Sequence, residues 1–198
     1  MMIGLLLSGG MDSVSIAWWK RPDVAITVDY GQRPAQAEIT ASAAACEAMG
    51  IRHEVVRADC SSLGSGDMAG TAPAAVAPVS EWWPFRNQLI LTLAGMAAVR
   101  IGVTHLMVGA LVTDGAHADG RPEFVDAISR LMSLQEGGIT VSAPAIGMDA
   151  AELVRASGIP REVLAWAHSC HVGNLACGSC RGCVKHYRTW EALGLDPY

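Results

Sequence analysis

The chain has 198 residues, 51% of them hydrophobic and 17% charged, with a formal net charge of −5 and a pI of about 5.6. That length and apolar content suit one α/β domain with a substantial core and exclude disorder as the main state. The acidic balance argues against a broad nucleic-acid surface, and no apolar run reads as a membrane span or signal peptide, so the expected compartment is the cytoplasm.

Residues 3–7 read as a buried strand that runs into Ser8-Gly9-Gly10-Met11-Asp12-Ser13 and then into a helix. A glycine turn at a helix start aims backbone N–H groups at one point, at the positive end of the helix dipole, and so cradles an anion. Gly9 and Gly10 remove Cβ atoms that would block a phosphate, and Ser8 and Ser13 add hydroxyl donors. The turn lacks the Gly-Lys-Ser/Thr ending of a Walker A loop. Asp12 stands in the helix start, where it can also act as a cap.

Residues 24–29 read as a second strand and residues 35–49 as a helix stopped by Gly50. Residues 53–57 form a third strand. Residues 60–80, rich in Gly, Ser, Ala and Pro, resemble a mobile lid. Residues 87–101 form a long helix ended by Gly102, followed by a fourth strand at 105–109 and a loop, 111–121, carrying Asp114, His117 and Asp119. A helix at 122–135, a fifth strand at 139–143 and short helices at 149–157 and 160–167 complete the alternation. The pattern predicts βαβ units and a doubly wound, mostly parallel five-stranded sheet, with ligands at the carboxyl ends of the strands.

Four of the six cysteines, Cys170, Cys177, Cys180 and Cys183, fall within fourteen residues near the C-terminus. Four thiolates with Cys-x2-Cys spacing suit a closed tetrahedral zinc site, although tight cysteine runs also hold iron–sulfur clusters and His168 and His171 lie close by. Lone histidines such as His53 and His105 read as structural. Cys46 and Cys60 have no base beside them and do not read as nucleophiles.

The Ser-Gly-Gly-x-Asp-Ser loop resembles that of the PP-loop ATP pyrophosphatase superfamily. Together with Asp29-Tyr30-Gly31-Gln32-Arg33 and Glu38, Trp83-Pro84-Phe85-Arg86-Asn87, Arg121-Pro122-Glu123-Phe124, the cysteine segment and the ending Gly194…Asp196-Pro197, it resembles the 7-cyano-7-deazaguanine synthase family over nearly the whole chain. The resemblance implies one PP-loop domain over residues 1–198 with a zinc-binding helical subregion at 168–198, and an ATP-dependent ligase. Such an enzyme converts 7-carboxy-7-deazaguanine and ammonia to the nitrile through an adenylated carboxylate and an amide, in queuosine biosynthesis. It implies ATP as substrate, Mg2+, structural Zn2+ and a homodimer.

Carried onto this chain, Ser8, Gly9, Gly10, Asp12 and Ser13 bind pyrophosphate. Asp12, Ser13, Arg33 and Arg121 are expected in catalysis, Arg86, Asn87 and Asp114 in ligand binding. Arginine matches carboxylates and phosphates bidentately. Asn87 can bond a purine-like ring or cap its helix, and Trp82 and Trp83 can close over a flat heterocycle or simply pack. Departures occur at Pro34, at His186, where the family has arginine, and along 109–121, where the family's asparagine and cysteine are absent. They leave open a second acceptor, another small-molecule or protein carboxylate, giving an amide or a nitrile. A tRNA-thiolating relative would need a catalytic cysteine pair and a basic RNA surface, which the committed cysteines and acidic balance disfavour.

Overall fold

The structure, a computed structural model, describes residues 1–115 and 117–196. Pro197, part of the C-terminal resemblance, lies outside the described residues. Five strands, β1 (Met2–Leu6), β2 (Val24–Asp29), β3 (Arg52–Arg57), β4 (Val103–Met107) and β5 (Thr140–Ser142), form one sheet in the order β3-β2-β1-β4-β5. Every pairing is parallel, a sharper result than the mostly parallel sheet expected. β1 ends at Leu6 and β4 at Met107, one and two residues earlier than the apolar pattern suggested. Leu7 and Val108 each still donate a backbone N–H to the neighbouring strand, to Ile26 O and Ser142 O (both 2.9 Å), so the pairing runs one residue past each strand end before the chain turns into the loop.

Side-chain alternation sorts the core. Leu5, Leu7 and Ala25 face one layer, built from α1 (Met11–Lys20), α2 (Ala35–Met49), α5 (Ala150–Ser157), α6 (Arg161–Leu164) and α7 (Arg181–Leu193). Leu6, Val24, Ile26 and Val28 face the other, built from α3 (Arg86–Ile101) and α4 (Pro122–Ser133). Both α2 and α3 end where glycine supplies the left-handed residue, Gly50 (φ 66°) and Gly102 (φ 81°). β1 and β4 are neighbours, yet α1 leaves toward one layer and α4 toward the other. The loops after these two strands therefore diverge and open a crevice at their carboxyl ends, the general ligand position in such sheets.

Residues 60–80, read from composition as a mobile lid, belong to a 60–85 segment that is pinned at several points. Asp67 N–H donates to Ser80 O (2.9 Å), Ser80 Oγ to Asp67 Oδ2 (2.7 Å) and Ala74 N–H to Ser65 Oγ (2.9 Å). Met68 and Trp83 are its apolar anchors, each nearly fully buried, and Trp83 meets Tyr30 edge to face at 5.0 Å. Trp83 thus packs and does not cover the cleft. The lone histidines are structural as expected: His53 Nε2 bonds Thr27 Oγ1 (2.8 Å), and His105 bonds Thr140 and Ser142 across β4 and β5.

α7 docks through Trp190, which is fully buried and donates Nε1–H to His186 Nε2 (2.9 Å). Trp190→Ala should cost about 3–5 kcal/mol, and Trp190→Phe about 1 kcal/mol, in urea-denaturation midpoints. Equal midpoints for wild type and Trp190→Ala would show that α7 docks by other means.

Candidate active site and cysteine centre

Residues 8–13 form a tight loop between β1 and α1. Gly9 takes φ 72°, and a Cβ there would lie 2.7 Å from Glu38 O on α2. Only glycine fits that position on both counts. Gly9 O accepts the His168 N–H (2.8 Å), which ties the loop to the cysteine segment. Ser13 Oγ accepts from Ser8 N–H (3.2 Å), lies 3.1 Å from Ser8 Oγ and donates to Gly10 O (3.1 Å). The buried Ser13 hydroxyl therefore holds the loop's shape. Gly10, with no side chain, is the N-cap of α1, so Asp12 is not a cap.

The loop opens into a cleft of about 620 Å3, within the usual range for small-molecule sites. Ser8, Gly10, Asp12, Ser13, Arg86, Asn87 and Asp114 all line it. Gly9 lies beneath its floor. Arg33 and Arg121 stand outside it and are exposed. Arg33 runs along Gly70 of the 60–85 segment, and Arg121 Nε–H donates to Gly115 O (3.1 Å). Asn87 caps nothing through its own side chain. Its backbone N–H donates to Asp119 Oδ2 (3.1 Å) and its Nδ2–H to Asp119 O (2.8 Å), which fastens the 111–121 loop over the start of α3.

Two charged groups, Lys185 and Glu81, were not legible in the sequence as site residues. Lys185 on α7 lies 2.7 Å from Asp12 Oδ2 and 3.4 Å from Asp114 Oδ1. Burial works against the Lys185 charge, but Asp12 and Asp114 outweigh it and hold the ammonium above the ordinary lysine value. Glu81 is buried and receives Arg181 Nη1 at 2.7 Å and His117 Nε2 at 3.5 Å. Burial opposes its charge, yet the His117 hydrogen bond and the Arg181 charge prevail and hold it at about 2. Standing with Asp67 as one of two acids in a segment with few charges was the available signal for Glu81. Lys185, two residues past the last cysteine, carried none.

Glu38 sits in the cleft wall and accepts from Gln32 Nε2–H (2.7 Å). Burial pushes its carboxyl up to about 7, against the opposing pull of Gln32 and Arg86. Arg86 Nη1 contacts Met68 Sδ at 3.2 Å, so its guanidinium has a soft neighbour and, among the described residues, no ion pair with a carboxylate.

The four cysteine sulfurs converge, all within 4.8 Å of one another, with Cys177–Cys183 and Cys170–Cys180 each at 4.0 Å. One tetrahedral ion with metal–sulfur bonds of about 2.3 Å sets its sulfurs about 3.8 Å apart. The donor set fits such an ion closely, whereas a cluster of several irons holds its thiolates farther apart. His168 and His171 are not part of the group. His168 Nε2 bonds Gly173 O (3.0 Å). Gly182 lies against Ser169 O, too close for any Cβ, so the knot closes only around glycine.

The family model described as "Queuosine biosynthesis protein QueC" matches residues 3–194. A 7-cyano-7-deazaguanine synthase of Methanosarcina barkeri is 32% identical over 97% of this chain and 95% of its own. Namesakes from Desulforudis audaxviator and Pseudomonas syringae are 34% and 28% identical, covering 96% and 98% of this chain and 96% and 94% of theirs. Among solved structures, the U34-tRNA thiolase NcsA from Methanococcus maripaludis with its [4Fe-4S] cluster superposes with a TM-score of 0.53 and 15% identity. This chain spans 64% of that one, and the likeness is one of fold. Among the described residues no helix is long and apolar enough to cross a membrane.

Because Glu38 binds its proton more tightly folded (about 7) than its usual 4.5, its stabilising contribution is complete below pH 4.5 and is lost as pH rises through 7. Glu38→Gln should raise the melting temperature at pH 8 by about 3 °C and leave it unchanged near pH 4.5. A constant difference across that range would refute the buried, protonated carboxyl.

Proposed function

The chain belongs to the QueC family, and we propose that it converts 7-carboxy-7-deazaguanine, ammonia and ATP to 7-cyano-7-deazaguanine, a step of queuosine biosynthesis. A carboxylate resists nucleophiles because of its charge and its poor leaving group. Transfer of AMP to the carboxylate oxygen removes both obstacles, ammonia then displaces AMP to give an amide, and a second adenylation of the amide oxygen followed by loss of AMP gives the nitrile. The protein has to hold pyrophosphate, neutralise charge and align the acceptor. The observation that carries the reading is the Ser8–Ser13 loop opening into the same cleft as Arg86, Glu38 and Asp114.

In this reading Ser8, Gly9, Gly10 and the α1 N-terminus receive the β- and γ-phosphates, while Ser13 fixes the loop. Arg86, with no carboxylate ion pair among the described residues, pairs with the acceptor carboxylate or a phosphate. Asp12 and Asp114 already share one cation, the Lys185 ammonium, and their hard oxygen donors suit magnesium. Magnesium held there supplies charge neutralisation at the phosphate oxygens. Arg33 and Arg121 lie beyond reach of the cleft as it stands, and a catalytic part for either requires the 60–85 or 111–121 segment to move inward. The sulfur separations support zinc in a closed site that shapes α7.

ATP, ammonium and 7-carboxy-7-deazaguanine incubated with the protein should yield AMP and the cyano product by mass spectrometry. ADP, or an acceptor carboxylate unchanged, sinks the proposal. A protein or different small-molecule carboxylate is the second reading, favoured by the His117–Glu81–Arg181 contact on the altered 111–121 loop; the same assay with other carboxylates separates the two. Asp12→Ala should lower AMP formation about a hundredfold or more with zinc content intact. Cys180→Ser should do the reverse, losing metal and solubility first. Met96, Val99, Leu131 and Leu134 are exposed on or just beyond α3 and α4, which supports a homodimer through that face. Light scattering should give twice the 20.8 kDa chain mass, and a monomer at micromolar concentration refutes it.

A further inference from the structure

Lys185 occupies an unusual position for a lysine two residues beyond a metal-ligating cysteine. Its Nζ lies 2.7 Å from Asp12 and 3.4 Å from Asp114, so one cation serves two carboxylates, one from the first turn of α1 and one from the 111–121 loop. It is not sealed in: about a third of its side chain (35%) is exposed, and it is among the cleft-lining residues. Asp12 is the second residue of α1, whose N-terminal turn forms the proposed pyrophosphate seat. The four-carbon stem lets the ammonium move from the carboxylates to that seat without moving α7. The next residue cannot take the part, because His186 turns inward, with Ser169 Oγ at 3.0 Å and Trp190 Nε1–H donating at 2.9 Å.

We propose that Lys185 is a catalytic cation of this chain, parked between Asp12 and Asp114 while the cleft is empty and transferred to the leaving pyrophosphate when a nucleotide brings its own divalent cation to those carboxylates. The inference rests on the proposed function and adds a residue to it. When an acceptor oxygen attacks the α-phosphorus, the new oxygen–phosphorus bond forms as the bond to the α–β bridging oxygen breaks. That oxygen departs with the pyrophosphate and takes the electron pair. The Lys185 ammonium meets the negative charge gathering there. Its exchange with the incoming divalent ion keeps the two carboxylates neutralised before and after binding, so neither state leaves them facing each other bare.

The test uses Lys185→Met, Lys185→Arg and wild type, with calorimetric titrations of inorganic pyrophosphate plus magnesium, of AMP, and of manganese(II) alone. Lys185→Met should bind pyrophosphate roughly tenfold to a hundredfold more weakly, and Lys185→Arg should recover most of the loss. AMP should bind all three equally, which certifies the fold of the variants. Manganese alone should bind Lys185→Met severalfold more tightly than wild type, since its resident competitor is gone; a merely structural ion pair would not give that gain. Pyrophosphate and manganese affinities equal to wild type in Lys185→Met overturn the inference while leaving the proposed reaction standing. Wild-type protein that ignores pyrophosphate overturns the loop assignment and this inference together.

Discussion

Everything at the active edge of the sheet depends on how closely the backbone at Gly9 is crowded. Glu38 O on α2 occupies the space where a side chain would begin, and the cysteine segment reaches in to donate the His168 N–H to Gly9 O. The loop is held from below and from the side by main chain, and its two serine hydroxyls are spent on each other and on Gly10. The N–H groups in the first turn of α1 have no partner within the helix. A phosphate seat built this way is preorganised, because its donors do not have to reorient when charge arrives.

The same crowding joins two regions that look independent in the chain. The cysteine knot lies more than 150 residues from the loop, yet it delivers the His168 N–H to Gly9 and, through α7, the Lys185 ammonium to Asp12. Binding of a metal to four thiolates is folding free energy for the segment that carries them. The knot therefore sets the shape of the catalytic edge, and Cys170 itself reaches the cleft wall.

Much of the architecture was legible from periodicity and punctuation. Buried apolar runs gave five strands, Gly50 and Gly102 marked helix ends, and the loop and cysteine spacing marked the two centres. Boundaries slipped where apolar residues make a last inter-strand bond as the strand gives way to a loop, as Leu7 and Val108 do. Local pattern could not show which distant side chains meet. Lys185 and Glu81 acquire meaning only when α7 and the 60–85 segment fold against the cleft. Arg33 and Arg121 carry the right chemistry in family-like surroundings but project to solvent. Trp83, sited to cover a ring, instead anchors its segment against Tyr30. Sequence spacing reports what a residue can do, and tertiary packing decides whether it is placed to do it.

Glu81 gathers Arg181 from the edge of the cysteine knot and His117 from the far loop around a single buried carboxylate. Lifting the 60–85 segment away would strand that charge until water reached it, a large penalty for any ionised group in a nonpolar setting. Arg181, however, keeps 40% of its side chain in solvent, so dissolved ions compete for it directly. Salt therefore loosens one of the points that fasten the 60–85 segment, while the buried Met68 and Trp83, which carry no charge, hold it regardless of the medium.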